Sequence, residues 1–154
     1  MIRKEMAKQN FKEGFNCAQA VVLAFADLTE MDKSTLLKLS SSFGGGLGRL
    51  REVCGCVSGM AIVLGVLYGY DDSSSKDEKA DHYTRIQEVA HEFEKRNGSI
   101  VCRELLGLEH KHDSPNPEDR TEAYYKKRPC VELVGDAAEI LEAYIQKNPL
   151  NRSF

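Results

Sequence analysis

Residues 52–68 read EVCGCVSGMAIVLGVLY, from Glu52 to Tyr68, and their reading decides the fold. Beyond Cys56 the segment is apolar on every side rather than along one stripe, the pattern of a helix enclosed by others. Ser58, Gly59 and Gly65 interrupt it, and residues 57–68 fall far short of the roughly 20 apolar residues that span a bilayer. A buried helix from about residue 52 to 68 is therefore expected at the centre of the molecule.

The flanking sequence supplies helices to enclose it. Upstream, Asn16 is a good N-cap, and Cys17, Ala20, Val21, Ala24, Phe25 and Leu28 follow on one face. Gly14 separates this helix from a more polar one before it. Asp32 can cap another helix through Leu36, Leu37, Leu39 and Phe43, which ends in a run of glycines. Downstream, residues 69–75 are polar and turn-like. They lead into a long charged helix whose expected inward stripe is Tyr83, Ile86, Ala90 and Phe93. Asn97-Gly98 is a stop signal, and Ser99 can cap a short helix carrying Ile100, Val101, Cys102, Leu105 and Leu106. After a loop over 107–116, Asn116-Pro117-Glu118-Asp119 has the order of N-cap, N1 proline and acidic first turn, predicting a helix through Tyr124 and Tyr125. Pro129 opens a last amphipathic helix along Val131, Val134, Ala138, Leu141 and Ile145. No alternating strand, composition break or internal repeat is visible. The expectation is one all-α domain over 1–154, a bundle of about five to seven helices.

Composition narrows the function classes. With 42% hydrophobic and 29% charged residues the chain has the balance of a soluble globular protein. Twenty-one basic against 24 acidic residues leave a formal charge of −3, so no global positive field invites nucleic acid or an anionic membrane. The N-terminal residues are charged and lack the apolar core of about 7–15 residues found in a secretory signal, which points to the cytoplasm.

Five cysteines stand at 17, 54, 56, 102 and 130. The number is odd, and reducing compartments disfavour a static disulfide framework. The spacing is too wide for a zinc knuckle or a ferredoxin-type motif, and Cys54-Gly55-Cys56 is a lone C-x-C pair. Cys17, Cys54, Cys102 and Cys130 share a placement near helix N-termini, where unpaired N–H groups and a partial positive charge favour thiolate. Each also continues its helix's apolar stripe, so simple packing is the competing account. The four would be neighbours if those helix ends gather on one side.

Gly44, Gly45, Gly46 and Gly48 form a loop that can cradle an anion or cofactor, or serve as a tight turn. No G-K-[ST] follows, so it is not a phosphate loop. Arg49 and Arg51 can lower the pKa of Cys54, hold an acidic ligand, or face solvent. His82 and His91 are expected on a solvated helix face. His110 and His112 form an H-x-H pair, an auxiliary metal site or plain surface. No motif of a serine hydrolase or zinc protease is present, and no spacing favours a Cys-His hydrolase.

In order and context these cysteines resemble a family of short bacterial and archaeal chains described as redox-active and named for a C_GCAxxG_C_C pattern, with four characteristic cysteines and a C-G-A-x-x-G motif. The matching positions are Cys17 in Asn16-Cys17-Ala18-Gln19-Ala20, Cys54 in Cys54-Gly55-Cys56-Val57-Ser58-Gly59 after the glycine-rich 43–48, then Cys102 and Cys130. Cys56 departs from the pattern, standing where the family has alanine, either as a small-residue replacement or as an additional resolving thiol or ligand. The resemblance implies a redox role. One form is thiol–disulfide chemistry or electron transfer, with a thiolate at Cys54 or Cys17 attacking and a neighbouring cysteine resolving. Its partner would be a redox protein or a small thiol or disulfide, with activity like that of a thiol–disulfide oxidoreductase. The other form is a module holding zinc, iron or an iron–sulfur cluster through Cys17, Cys54, Cys102 and Cys130, with Cys56 as an extra ligand. A structural or interaction protein with incidental buried cysteines is the third reading. The oligomeric state stays open, a homodimer included.

Overall fold

The structure, a computed structural model, describes residues 2–150. Local signals start several helices where the sequence places them. Asn16 Oδ1 accepts the Gln19 N–H at 2.9 Å while Gln19 Oε1 accepts the Asn16 N–H at 3.1 Å, a reciprocal capping box that opens α2 (Cys17–Leu23). Asp32 accepts the Thr35 N–H at 2.9 Å and opens α4 (Lys33–Ser40). Before and between these lie α1 (Arg3–Lys12) and the single turn α3 (Ala26–Thr29). After α4 comes a tight glycine-rich turn, α5 (Gly44–Leu47), in which Gly45 and Gly46 are left-handed. The central apolar helix is α6 (Gly55–Tyr68) and the long charged one is α7 (Lys76–Asn97). Short α8 (Cys102–Leu105) and α9 (Glu122–Lys127) precede the final α10 (Cys130–Lys147). The fold is all-α. Among the described residues no helix is long and apolar enough to cross a membrane.

One hydrophobic core joins α1, α2, α6, α7 and α10. Phe11, Phe25, Met60, Leu64, Phe93 and Leu141 are fully enclosed in it. α2 lies directly on α6 because α6 carries glycine at the crossing. A Cβ at Gly59 would stand 3.0 Å from the Ala18 carbonyl oxygen, and one at Gly55 3.1 Å from the Cys17 Cβ. Two absent side chains thus bring the start of α2, with Cys17, against the start of α6, with Cys54.

Four local expectations are corrected. The central helix begins at Gly55 rather than near 52, because Val53 forms an isolated antiparallel bridge with Val101. The Cys102 N–H donates to the Glu52 carbonyl at 2.6 Å and the Cys54 N–H to the Ile100 carbonyl at 2.7 Å. The same bridge keeps Val101 extended, so α8 starts at Cys102 and Ser99 accepts the Val101 N–H instead of capping a longer helix. On α7 the expected Ile86, Ala90 and Phe93 do face the core, joined by Val89, but at the N-terminal end His82 is buried while Tyr83 is 51% exposed. Asn116-Pro117 opens no helix. Glu118 is held by Arg128 at 2.6 Å, Arg120 donates to the carbonyls of Phe11 and Phe15, and α9 starts only at Thr121, whose hydroxyl caps it.

Candidate functional site

Cys17, Cys102 and Cys130 are the first residues of α2, α8 and α10, and Cys54 is the N-cap of α6. All four line one cavity of about 70 Å³, together with Gly45, Gly46, Arg51, Arg120 and Tyr124. That volume suits a few water molecules or the sulfur end of a ligand. The close α2–α6 crossing supplies Cys17 and Cys54, the Val53–Val101 bridge ties Cys54 to Cys102, and α10, packed on α1 and α2, adds Cys130. No cysteine is in a disulfide; Cys17 is half-buried and the other four are buried.

Shared placement at helix starts does not make the thiols alike. Cys17 has its pKa held well below the usual thiol range, first by a hydrogen bond with the Cys130 thiol and then by one with the Cys56 thiol, aided by the nearby Arg120 charge. Cys130 is driven strongly upward, by the same contact with Cys17 and then by burial. The contact thus favours the thiolate form at Cys17 and the thiol form at Cys130. Burial pushes the Cys56 thiol well up, followed by its contacts with Cys17 and Cys54. Cys102 is raised by burial, against the pull of Arg51, whose Nη1 lies 3.6 Å from its sulfur. At Cys102 burial outweighs the first-turn effect, whereas at Cys17 neighbouring donors outweigh burial. The phenol of Tyr124 is pushed up to about 12 by burial and then by Cys130, so it stays protonated in the wall.

The glycine-rich loop is part of this site. Gly45 and Gly46 line the thiol cavity, and Gly44, Gly45 and Gly48 line an adjoining vestibule of about 380 Å³ that reaches Cys130 and Tyr124. A Cβ at Gly46 would meet the Cys102 Cβ and the Glu52 nitrogen, each at 2.7 Å. Glycine lets the loop back directly onto the third thiol. Arg51 bonds Asp113 through Nε at 2.7 Å, so it braces Cys102 rather than Cys54.

The Arg51 guanidinium, helped by His110, holds the Asp113 carboxyl at about 2. A carboxyl depressed from 3.8 in the unfolded chain stabilises the fold above pH 4, and this contribution disappears as pH falls from about 4 to 2. Asp113→Asn is therefore expected to lower the melting temperature at neutral pH, with the gap to the parent protein closing below pH 4. A gap that stays constant down to pH 2 contradicts the Arg51–Asp113 brace.

A metal on the same cysteines is the other form implied by the resemblance. Among the described residues no group of three or more His, Cys, Asp or Glu side chains is arranged to hold a metal ion. Ligation needs each sulfur deprotonated and turned to one point. Here Cys130 and Cys56 serve as S–H partners of Cys17, and Cys102 is turned to Arg51. As arranged, these donors present no zinc, iron or cluster site. His110 pairs with Asp113 at 2.6 Å rather than with His112. His82 lies buried at 8% exposure, not on a solvated face, and burial pushes its pKa down.

A family model described as "Putative redox-active protein (C_GCAxxG_C_C)" matches residues 15–144, a span that holds every cysteine and the glycine-rich loop. The chain belongs to this family. No curated protein and no solved structure matches it. The family's description places the C_GCAxxG_C_C chain among redox-active proteins, and the four cysteines that carry its pattern here line one cavity. Sequence reasoning missed Arg120, Arg128 and Tyr124. One signal was available: Arg128 precedes Cys130 by two residues, much as Arg51 stands three before Cys54.

Proposed function

We propose that the protein is a dithiol redox protein in which Cys17 is the attacking thiolate and Cys130 the resolving thiol. One observation carries this reading: the one cysteine residue that is not fully buried is also the one whose thiol is pushed toward thiolate, by a hydrogen bond from a second cysteine in the same cavity. The Cys17 thiolate attacks a disulfide R–S–S–R′, forming the Cys17–S–S–R mixed disulfide and releasing R′–S⁻, which takes up a proton. The Cys17 charge is then gone, and with it the largest cause raising Cys130. Cys130 loses its proton to solvent and attacks the Cys17 sulfur, releasing R–S⁻. Two electrons pass to the substrate, and a Cys17–Cys130 disulfide remains. The reverse sequence oxidises a dithiol.

Treating the reduced protein with a small disulfide, counting free thiols after denaturation and mapping peptides without reductant tests this. The expected result is loss of one pair of thiols per chain and a Cys17–Cys130 linked peptide. Thiols that all remain free, a pair lacking Cys17, or stoichiometric metal on unreactive cysteines each defeat it.

A further inference from the structure

The vestibule beside the thiol cavity has a charge that thiol chemistry by itself does not require. Arg49, Arg51, Arg120 and Arg128 line it, with Glu118 the one acidic residue in the lining. Asp113 pairs with Arg49 and Arg51, so four guanidinium groups face two carboxylates. Arg49 is the least satisfied. Its Nη2 stands 3.6 Å from both Asp113 and Glu118, beyond hydrogen-bond reach of a charged pair, and its Nε and Nη1 are buried with no acceptor among the described residues. The excess of positive charge around the vestibule favours an anionic oxygen there. The backbone at this position is held on both sides: residue 49 is left-handed at φ 68°, its N–H bonds the Gly44 carbonyl at 3.3 Å and its carbonyl accepts the Asp113 N–H at 3.0 Å. At about 380 Å³ the space suits a small-peptide-sized ligand, and it opens onto Cys130.

We infer that the vestibule is an anion subsite that seats a carboxylate of a small disulfide or thiol against Arg49, with the sulfur end of that molecule directed to the thiol cavity. This rests on the thiol–disulfide reading for its chemistry, but the binding step can be measured without any exchange. S-methylglutathione, an unreactive carboxylate-bearing thioether, is titrated into the reduced protein by calorimetry, with 2-(methylthio)ethylamine as its cationic counterpart. The anionic probe is expected to bind, the cationic one not, and Arg49→Gln to weaken binding roughly tenfold, as loss of a charge-assisted hydrogen bond does. Should the variant not fold, the parent protein supplies the readout, since binding must weaken as ionic strength rises. In the kinetic arm, the ratio of oxidation rates by glutathione disulfide and by cystamine is expected to fall roughly tenfold in Arg49→Gln.

The two ideas fail differently. Thioether binding with no reaction from either disulfide retains the anion subsite and removes the exchange reading. Reaction with both disulfides at an unchanged ratio, without thioether binding, overturns the subsite and leaves exchange standing. Inorganic phosphate binding more tightly than the thioether overturns the carboxylate assignment.

Discussion

Replacing Cys17 by serine is expected to remove the fast-reacting thiol of the protein and, with it, formation of the internal disulfide. An ordinary cysteine with pKa near 8.5 is only about 3% thiolate at pH 7. A lowered pKa raises that fraction at Cys17, which is also the one cysteine residue not fully buried. The others are buried, and Cys56, Cys102 and Cys130 are shifted upward. Alkylation by iodoacetamide at pH 7 should therefore be slower in Cys17→Ser, with about 30-fold as the ceiling that full ionisation of the parent thiol would set, less whatever nucleophilicity the lowered pKa costs it. The pH profile separates this from a simple loss of access. In the parent protein the rate should fall at a lower pH than it does for an ordinary thiol. In Cys130→Ala, which deletes the leading donor to Cys17, the fall should move toward the ordinary thiol range. A midpoint untouched by Cys130→Ala would show that this contact does not set the ionisation of Cys17.

Gly46→Ala is expected to be the most damaging single-methyl change near the site. The residue is left-handed at φ 69°, which costs a residue with a Cβ about 1–2 kcal/mol. The new methyl would also lie 2.7 Å from the Cys102 Cβ and from the Glu52 nitrogen and 2.9 Å from the Arg51 carbonyl carbon. Two of these are backbone atoms in or beside the bridge that positions Cys54 and Cys102, so no flexible side chain can yield. Adding an overpacking term gives about 2–4 kcal/mol of lost stability, or very roughly 5–15 °C in melting temperature for a domain of this size. Gly48→Ala is the control. It is left-handed at φ 55° in the same loop, but nothing lies within 4 Å of its Cβ, so only the backbone cost applies. Equal losses at the two positions would mean that the loop does not pack on Cys102 as described. Gly46→Ala should also loosen Arg51 from Cys102 and raise Cys102 alkylation relative to the control.

Much of the fold was legible because its signals are local. Asn16 and Asp32 cap their helices with side chains that reach only three residues ahead, and the apolar run after Cys56 could pack only as an enclosed helix. The errors fall where distant groups compete. Tyr83 and His82 are neighbours in sequence, and the packing of α7 against α6 and α10 selects the face that buries His82. The helical start at Asn116-Pro117 is sound chemistry locally, but Glu118 and Arg120 bind partners elsewhere in the fold, and that backbone is not helical.

The site divides along the same line. From the sequence alone came an all-α chain with four thiols, each opening a helix and facing inward, in the order of a redox-active family. Tertiary structure decided that they meet, through two missing side chains at the α2–α6 crossing and one bridge between Val53 and Val101. It also decided that Cys17 is the one pushed toward thiolate. The helix-start effect is much the same at every position and cannot choose among them, whereas the S–H of Cys130 and the charge of Arg120, both more than 100 residues from Cys17, act on that sulfur.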